Sequence, residues 1–144
     1  MKKILSLLML LPLAFAVTSC DDDDNGVTIN ENVVTYINTH YPDAIIVEAE
    51  NKNGYLEVDI YHDALEKEVY FDNADNWVMT TWDIAIATLP EAVTNAIATT
   101  YPGYRIDDAD YVETPDGIYY KIEIENNNSD VYINVSPDGT ITPQ

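Results

Sequence analysis

Two stretches decide how this chain folds: Thr28–Pro42, TINENVVTYINTHYP, and Thr88–Pro102, TLPEAVTNAIATTYP. At a constant offset of sixty residues they share Thr28/Thr88, Glu31/Glu91, Val33/Val93, Ile37/Ile97, Thr39/Thr99, Tyr41/Tyr101 and Pro42/Pro102. Further on, Ile46/Ile106 and Ala49/Ala109 also coincide. Self-similarity at a fixed period is the mark of a tandem repeat, here residues 28–87 and 88–144.

Each copy predicts a short amphipathic helix. Ile29, Val33, Ile37 and Tyr41 recur every fourth residue, as do Leu89, Val93, Ile97 and Tyr101, which gives one apolar stripe apiece. Thr28 with Glu31, and Thr88 with Glu91, have the spacing of capping boxes. Pro90 is expected in the first helical turn, where a missing N–H does no harm. Pro42 and Pro102 end the helices, because the residue before proline is pushed out of the α region. Short helices with one apolar face must lie on something.

Beyond the helices the period changes to two. Ile45–Ala49 reads as a first strand and Asn51–Gly54 as a tight turn. In Tyr55–Tyr61 the residues Leu56, Val58 and Ile60 point one way, and Tyr55, Glu57, Asp59 and Tyr61 the other. Glu66–Phe71 and Trp77–Trp82 are the next strands, parted by the polar turn Asp72–Asn76. Trp77 and Trp82 differ in parity, so at most one belongs to the outward face. The second copy repeats the order with strands in Arg105–Glu113, Ile118–Glu125, Val131–Val135 and Thr140–Thr142. The expected fold is α+β: two tandem αββββ repeats in one antiparallel sheet, helices on one face and the other face open.

The start of the chain stands apart. Lys2 and Lys3 precede Ile4–Val17, an apolar stretch too short to span a bilayer comfortably. It ends in Val17-Thr18-Ser19-Cys20, which resembles the lipobox of bacterial lipoproteins. Residues 1–19 are thus expected to be a lipoprotein signal peptide and Cys20 the lipidated residue; an ordinary secretory signal with an incidental cysteine is the alternative. Cys20 is the sole cysteine, so no intramolecular disulfide can form. Residues 20–27, with Asp21–Asp24, read as an acidic tether. The run is also similar to the surface-export tag of lipoproteins in some Gram-negative phyla. The expected place is the cell envelope, periplasmic side or outer-membrane surface, with the membrane touched only through the lipid.

With Lys2 and Lys3 removed, four cationic side chains face 26 acids, a net charge of −22. Such a field repels nucleic acid and anionic lipid and favours cationic partners. The length of 144 residues allows one domain, or two small ones sharing a core.

A resemblance rests on these residues. Leu89-Pro90, Tyr101-Pro102 with Tyr104, Gly54-Tyr55, Gly117 with Tyr119, Val69–Asp72 and Asp138-Gly139 look like the PepSY-like, β-lactamase-inhibitor-protein-like family of envelope proteins. The first copy departs from it by carrying Asp75-Asn76 where the second has Asp138-Gly139. The resemblance implies a non-enzymatic protein whose open sheet face binds, and in some members inhibits, a protein.

Chemistry is sparse. Ser129 and Ser136 lack a nucleophile-elbow context. His40 and His62 sit at a helix end and a turn, without metal-ligand spacing, and no glycine-rich loop cradles phosphate. Asp72–Asn76 has some features of a calcium loop but lacks its ligand alternation and glycine. Asp107, Asp108 and Asp110 form an acidic edge that would attract divalent ions weakly. No catalytic residue, cofactor or metal is assigned; an acid–base enzyme would need two carboxylates converging in a pocket, one with a raised pKa.

The candidate binding residues are therefore those of the outward face: Tyr55, Glu57, Asp59, Tyr61, Tyr70, Tyr119, Glu123 and Tyr132. Tyrosine is a strong strand former and aromatic pairs stabilise sheets without any ligand. It is equally a rigid anchor at protein interfaces. The expected partner is an envelope or secreted protein with a basic or mixed surface. The rival reading is a glycan- or small-ligand-binding surface lipoprotein, which an exposed tryptophan in a groove would favour.

Overall fold

The apolar stripes form as the spacing predicts. In a computed structural model describing residues 27–127 and 129–144, helix α1 spans Glu31–His40 and α2 spans Glu91–Thr100. The expected signal peptide, the Cys20 anchor and nearly all of the acidic tether lie outside the described residues. Each helix ends at the tyrosine before proline. Tyr41 (φ −127°) and Tyr101 (φ −124°) leave the helical region while their N–H groups still donate to Ile37 O at 2.7 Å and Ile97 O at 2.8 Å.

The helix starts differ from the expected capping boxes. Asn30, not Thr28, is the N-cap of α1, its Oδ1 accepting the Val33 amide at 3.1 Å. It is the residue directly before the first helical turn, where a short amide side chain reaches that donor. Thr88 instead closes a 3-10 turn, Ile86–Thr88, and its hydroxyl donates to Ala85 O at 2.7 Å. Pro90 is not inside the first turn of α2 but is its N-cap, with extended ψ of 146° and no side-chain cap bond.

Among the described residues eight strands form one antiparallel sheet in chain order. They are β1 (Ile45–Lys52), β2 (Tyr55–His62), β3 (Leu65–Phe71), β4 (Trp77–Asp83), β5 (Arg105–Thr114), β6 (Gly117–Asn126), β7 (Ser129–Val135) and β8 (Ile141–Pro143). The β1–β2 hairpin turns on Asn53 (φ 54°) and Gly54 (φ 86°), the left-handed pair that a two-residue hairpin needs. Register shifts occur at Ile46/Glu48 in β1 and at Ile106/Asp108 in β5, sixty residues apart.

Two apolar clusters hold the helices. Val33, Ile37 and Tyr41 of α1 pack with Val58, Ile60, Val69 and Phe71. Val93 and Ile97 of α2, with Leu89, pack with Ala109, Ile122, Ile124, Ile133 and Val135. Each fully buried aliphatic side chain contributes about 1.5–3 kcal/mol, so these stripes carry the fold. Cross-strand neighbours share a face, and the pairs Val58↔Val69, Val69↔Thr80, Thr80↔Glu113 and Glu113↔Ile118 run without a break from β2 to β6.

A third register shift, between Tyr70 and Phe71, decides where the tryptophans lie. It sets Trp77 opposite Phe71, in the α1 cluster, while Trp82 pairs with Tyr111. Simple alternation puts the two on opposite faces, but the irregularity resets that parity, with Trp77 packed in the α1 cluster and Trp82 half-buried beside Tyr111. Trp82 stacks on Tyr111 with centroids 4.6 Å apart, and the buried Lys67 ammonium lies 4.5 Å from its ring.

Candidate functional site

The face opposite the clusters is built from residues of the other parity. One line crosses it as Asp59↔Glu68↔Thr81↔Val112↔Tyr119, and another as Asp83↔Asp110↔Lys121↔Asn134. Between them lies a cleft of about 750 Å³ that spans the junction of β4 with β5. Met79, Thr81, Val112 and Tyr119 are among its lining residues, along with Glu66, Glu68, Asp59, Asp83, Asp108 and Asp110.

The candidate binding residues divide into three groups here. Tyr55, Tyr61 and Tyr132 protrude, being 41%, 45% and 49% exposed. Asp59, Tyr119 and Glu123 are half-buried. Glu57 (3% exposed) and Tyr70 (8%) point to this side yet are buried within it. Alternation assigns a side chain to a face but says nothing about the curvature of that face or its neighbours. Strands lie about 4.8 Å apart, so Tyr61 on β2 and Tyr132 on β7 stand roughly 24 Å apart. Tyr55 and Tyr61 lie at opposite ends of β2, roughly 20 Å apart at about 3.3 Å per residue, so the exposed tyrosines are three separate points on this face rather than one cluster.

Buried polar groups on this face hold one another. Lys52 Nζ donates to Glu57 Oε1 at 2.9 Å and lies 2.8 Å from Oε2. The Tyr70 hydroxyl donates to Glu68 Oε2 at 2.6 Å, and burial together with the neighbouring carboxylates Glu57 and Glu68 drives its pKa far up. Burial, then the charges of Glu57, Glu68 and Glu48, raises the Asp59 carboxyl, only partly opposed by Lys52. Asp59 Oδ1 and Thr81 Oγ1 are buried atoms without a hydrogen-bond partner among the described residues. On β7, Tyr132 sits directly opposite Glu123, whose carboxylate raises the tyrosine's pKa chiefly by hydrogen bonding.

Sequence reasoning marked Asp108 and Asp110 as part of an acidic edge but missed Asp83 beside them. Asp83, Asp108 and Asp110 bring carboxylate oxygens within 4.8 Å of one another, close enough by geometry for a cation. Burial, a hydrogen bond shared with Asp83 and the nearby Asp108 push the Asp110 pKa up to about 6, against the pull of Lys121 at 3.8 Å. The alternation of Asp108 and Asp110 was visible in the sequence. Their meeting with Asp83 depends on the β4–β5 register, which no local pattern encodes. Asp107, by contrast, lies at the bulge and 3.3 Å from Arg105.

The loop at Asp72 is a structural turn. Asp72 Oδ1 accepts the amides of Ala74 at 2.8 Å and Asn76 at 2.9 Å, which together with the Asn76 side chain hold its pKa low. Those lone pairs are committed to the backbone, as in an Asx turn.

Comparison with known proteins agrees with this architecture. The profile of the family described as "Putative beta-lactamase-inhibitor-like, PepSY-like" matches residues 54–142. A crystal structure of a BLIP-like protein from Bacteroides fragilis superposes with a TM-score of 0.72 at 28% identity, covering 85% of this chain and 89% of that one. A DUF2874 family protein from Bacteroides uniformis gives 0.71 at 25% identity, over 79% and 86% of the two chains. A Bacteroides eggerthii protein, described as "putative periplasmic", shares the fold with a TM-score of 0.69 at 21% identity, over 80% and 86%. No curated protein matches the chain. The order of its strands, the match over residues 54–142 and these superpositions have one meaning: the chain belongs to the beta-lactamase-inhibitor-like, PepSY-like family.

Proposed function

We propose that this protein is a non-catalytic envelope lipoprotein that binds a protein partner through its open sheet face, with inhibition of that partner as the activity to test for. Residues 28–87 and 88–144 are tandem copies whose helices cover one side of the sheet, leaving the cleft and the exposed tyrosines to the partner. The observation that carries this reading is the open face itself: a surface with a cleft and, on the same face, three exposed tyrosines, in a chain of the beta-lactamase-inhibitor-like family. Tyrosines in this setting supply large, rigid contact area at low entropic cost. The partner is an envelope or secreted protein with a basic or mixed surface; nucleic acid is disfavoured by the charge. Anchoring is through Cys20, and among the described residues no helix is long and apolar enough to cross a membrane.

The test is capture from an envelope extract, with full-length protein purified in mild detergent. Wild type is compared with a variant carrying Tyr55→Ala, Tyr61→Ala, Tyr119→Ala and Tyr132→Ala, after circular dichroism shows that both fold. Anchor truncations cost about 2 kcal/mol or more each, so the variant loses the partner that wild type retains. Equal capture by both versions overturns the reading. The glycan-binding alternative would rest on Trp82, which is half-buried and among the residues lining the cleft.

One observation favours a second reading, acid–base catalysis. Asp83 and Asp110 converge in the cleft, and Asp110 has the raised pKa that such chemistry uses. Their oxygens come closer than the spacing of about 5–5.5 Å or more that glycosidase carboxylates keep. Asp110→Asn separates the two readings: it abolishes turnover by an enzyme but leaves tyrosine-dependent capture in place.

A further inference from the structure

The two halves of the chain contribute different parts of one cleft. Asp59, Glu68, Thr81 and Asp83 come from the first half, Asp108, Asp110, Val112 and Tyr119 from the second. Neither half alone makes the enclosure. Its lining pairs an apolar strip (Met79, Val112 and Tyr119) with acidic walls; two lysines also line it, Lys67 over the Trp82 ring and Lys121 3.8 Å from Asp110, and the six carboxylates outnumber them.

That combination fits one kind of side chain. Arginine carries an aliphatic stem that covers apolar surface, and a planar head with five N–H donors suited to several carboxylates at once. We propose that the cleft across the β4–β5 junction is the anchor pocket for an arginine of the partner, presented on a basic extended segment whose apolar neighbours rest on the tyrosine-bearing face. The inference rests on the binding-face reading and names the chemistry that the face recognises.

Four independent features support the assignment. Shape is the first: the cleft volume exceeds what a single hydrated ion needs and accommodates a side chain with its flanking residues. Unmet polar atoms are the second, since Asp59 Oδ1 is an acceptor and Thr81 Oγ1 a hydroxyl without a partner among the described residues. Charge balance is the third. Asp83, Asp108 and Asp110 crowd together with Lys121 as the cation within ion-pair reach of Asp110, so an arriving guanidinium relieves repulsion as well as gaining bonds. Long-range field is the fourth, because a chain of this acidity steers basic segments toward it and repels membranes and nucleic acid.

A fluorescent peptide alternating arginine and valine is titrated against the full-length protein at physiological ionic strength, where non-specific surface attraction is largely screened. Its control is the same peptide with citrulline for arginine, which keeps the shape without the charge. Two variants remove equal charge: Asp83→Asn with Asp110→Asn in the cleft, and Asp43→Asn with Asp116→Asn on exposed turns away from it. The proposal expects saturable binding of the arginine peptide, with affinity lowered about tenfold by citrulline and about tenfold by the cleft pair, and changed less than about twofold by the turn pair. Losing the repulsion between Asp83 and Asp110 should leave the thermal midpoint unchanged or higher, so a binding loss is not unfolding. Equal effects of the two charge pairs, equal binding of the citrulline peptide, or no saturable binding each overturns it. If tyrosine-dependent capture persists in that event, the binding face stands and only its arginine anchor falls.

Discussion

The two helices share their buried apolar positions in sequence, yet each half closes over its helix in its own way. On α2, Ala92 and Ala96 present a shallow surface, and the β7–β8 turn descends onto it. A Cβ on Gly139 would stand 2.7 Å from Ala92 O and 3.2 Å from Ala96 Cβ. Sixty residues earlier α1 carries Asn32 and Tyr36 instead. Tyr36 stacks on Trp77 at 5.8 Å and on His40 at 3.9 Å, filling with rings what the second half fills with a glycine turn. The first half also has a polar knot, in which Trp77 Nε1 donates to Thr80 Oγ1 at 2.9 Å and Tyr41 Oη shares a 2.7 Å bond with the same atom. The lesson is that a duplicated pattern of apolar positions preserves the fold while the small-to-large choices between them set how each core closes.

Core truncation probes that contrast most strongly. Phe71 is fully buried and meets Tyr36 edge-on at 5.4 Å, so Phe71→Ala should lose about 3–5 kcal/mol in denaturant unfolding. Next comes the close turn. Gly139→Ala imposes a side chain at φ 89° against backbone, and a loss of about 2–3 kcal/mol is expected by the same assay. Asp75, with φ 62° in the corresponding turn of the first half, should accept glycine within about 0.5 kcal/mol. A similar response at both turns would break the comparison. Tyr41→Phe, which removes one bond from a buried knot, should cost about 1 kcal/mol.

The smallest effect is pH-dependent. The folded pKa of Asp110, about 6, lies above its ordinary value of 3.8, so the folded state holds a proton that the unfolded chain releases earlier. Stability from this group is therefore full below about pH 4 and lost as pH rises through 6. A modest rise in thermal midpoint on going from pH 7.5 to 5 is expected for wild type. Asp110→Asn should raise the midpoint at pH 7.5 and flatten that dependence.

Much of the sheet was legible because half-buried antiparallel strands write their faces as alternation: Leu56, Val58 and Ile60 against Tyr55, Glu57, Asp59 and Tyr61. The helix ends were legible at Tyr-Pro, where one steric rule dominates. Helix starts were not, since Thr28, Asn30 and Thr88 all have capping chemistry and only chain path selects among them. That at most one tryptophan faces outward was legible, but their final placement was not, because a one-residue irregularity in β4 resets parity. The site was the least legible part. That Glu57 and Tyr70 lie buried on the outward side, and that Asp83 meets Asp110, follows from curvature and long-range register.

The central claim is that the open face, and not the helix-bearing side, meets the partner. Photo-crosslinking tests it most directly, with benzoylphenylalanine placed at Tyr119 in the cleft or at Thr39 on exposed α1, in otherwise full-length protein within the envelope. The account predicts a discrete crosslinked protein from position 119, absent when Tyr55, Tyr61 and Tyr132 are alanine, and none from position 39. A crosslink from position 39 alone, or one from 119 that survives those substitutions, would contradict it.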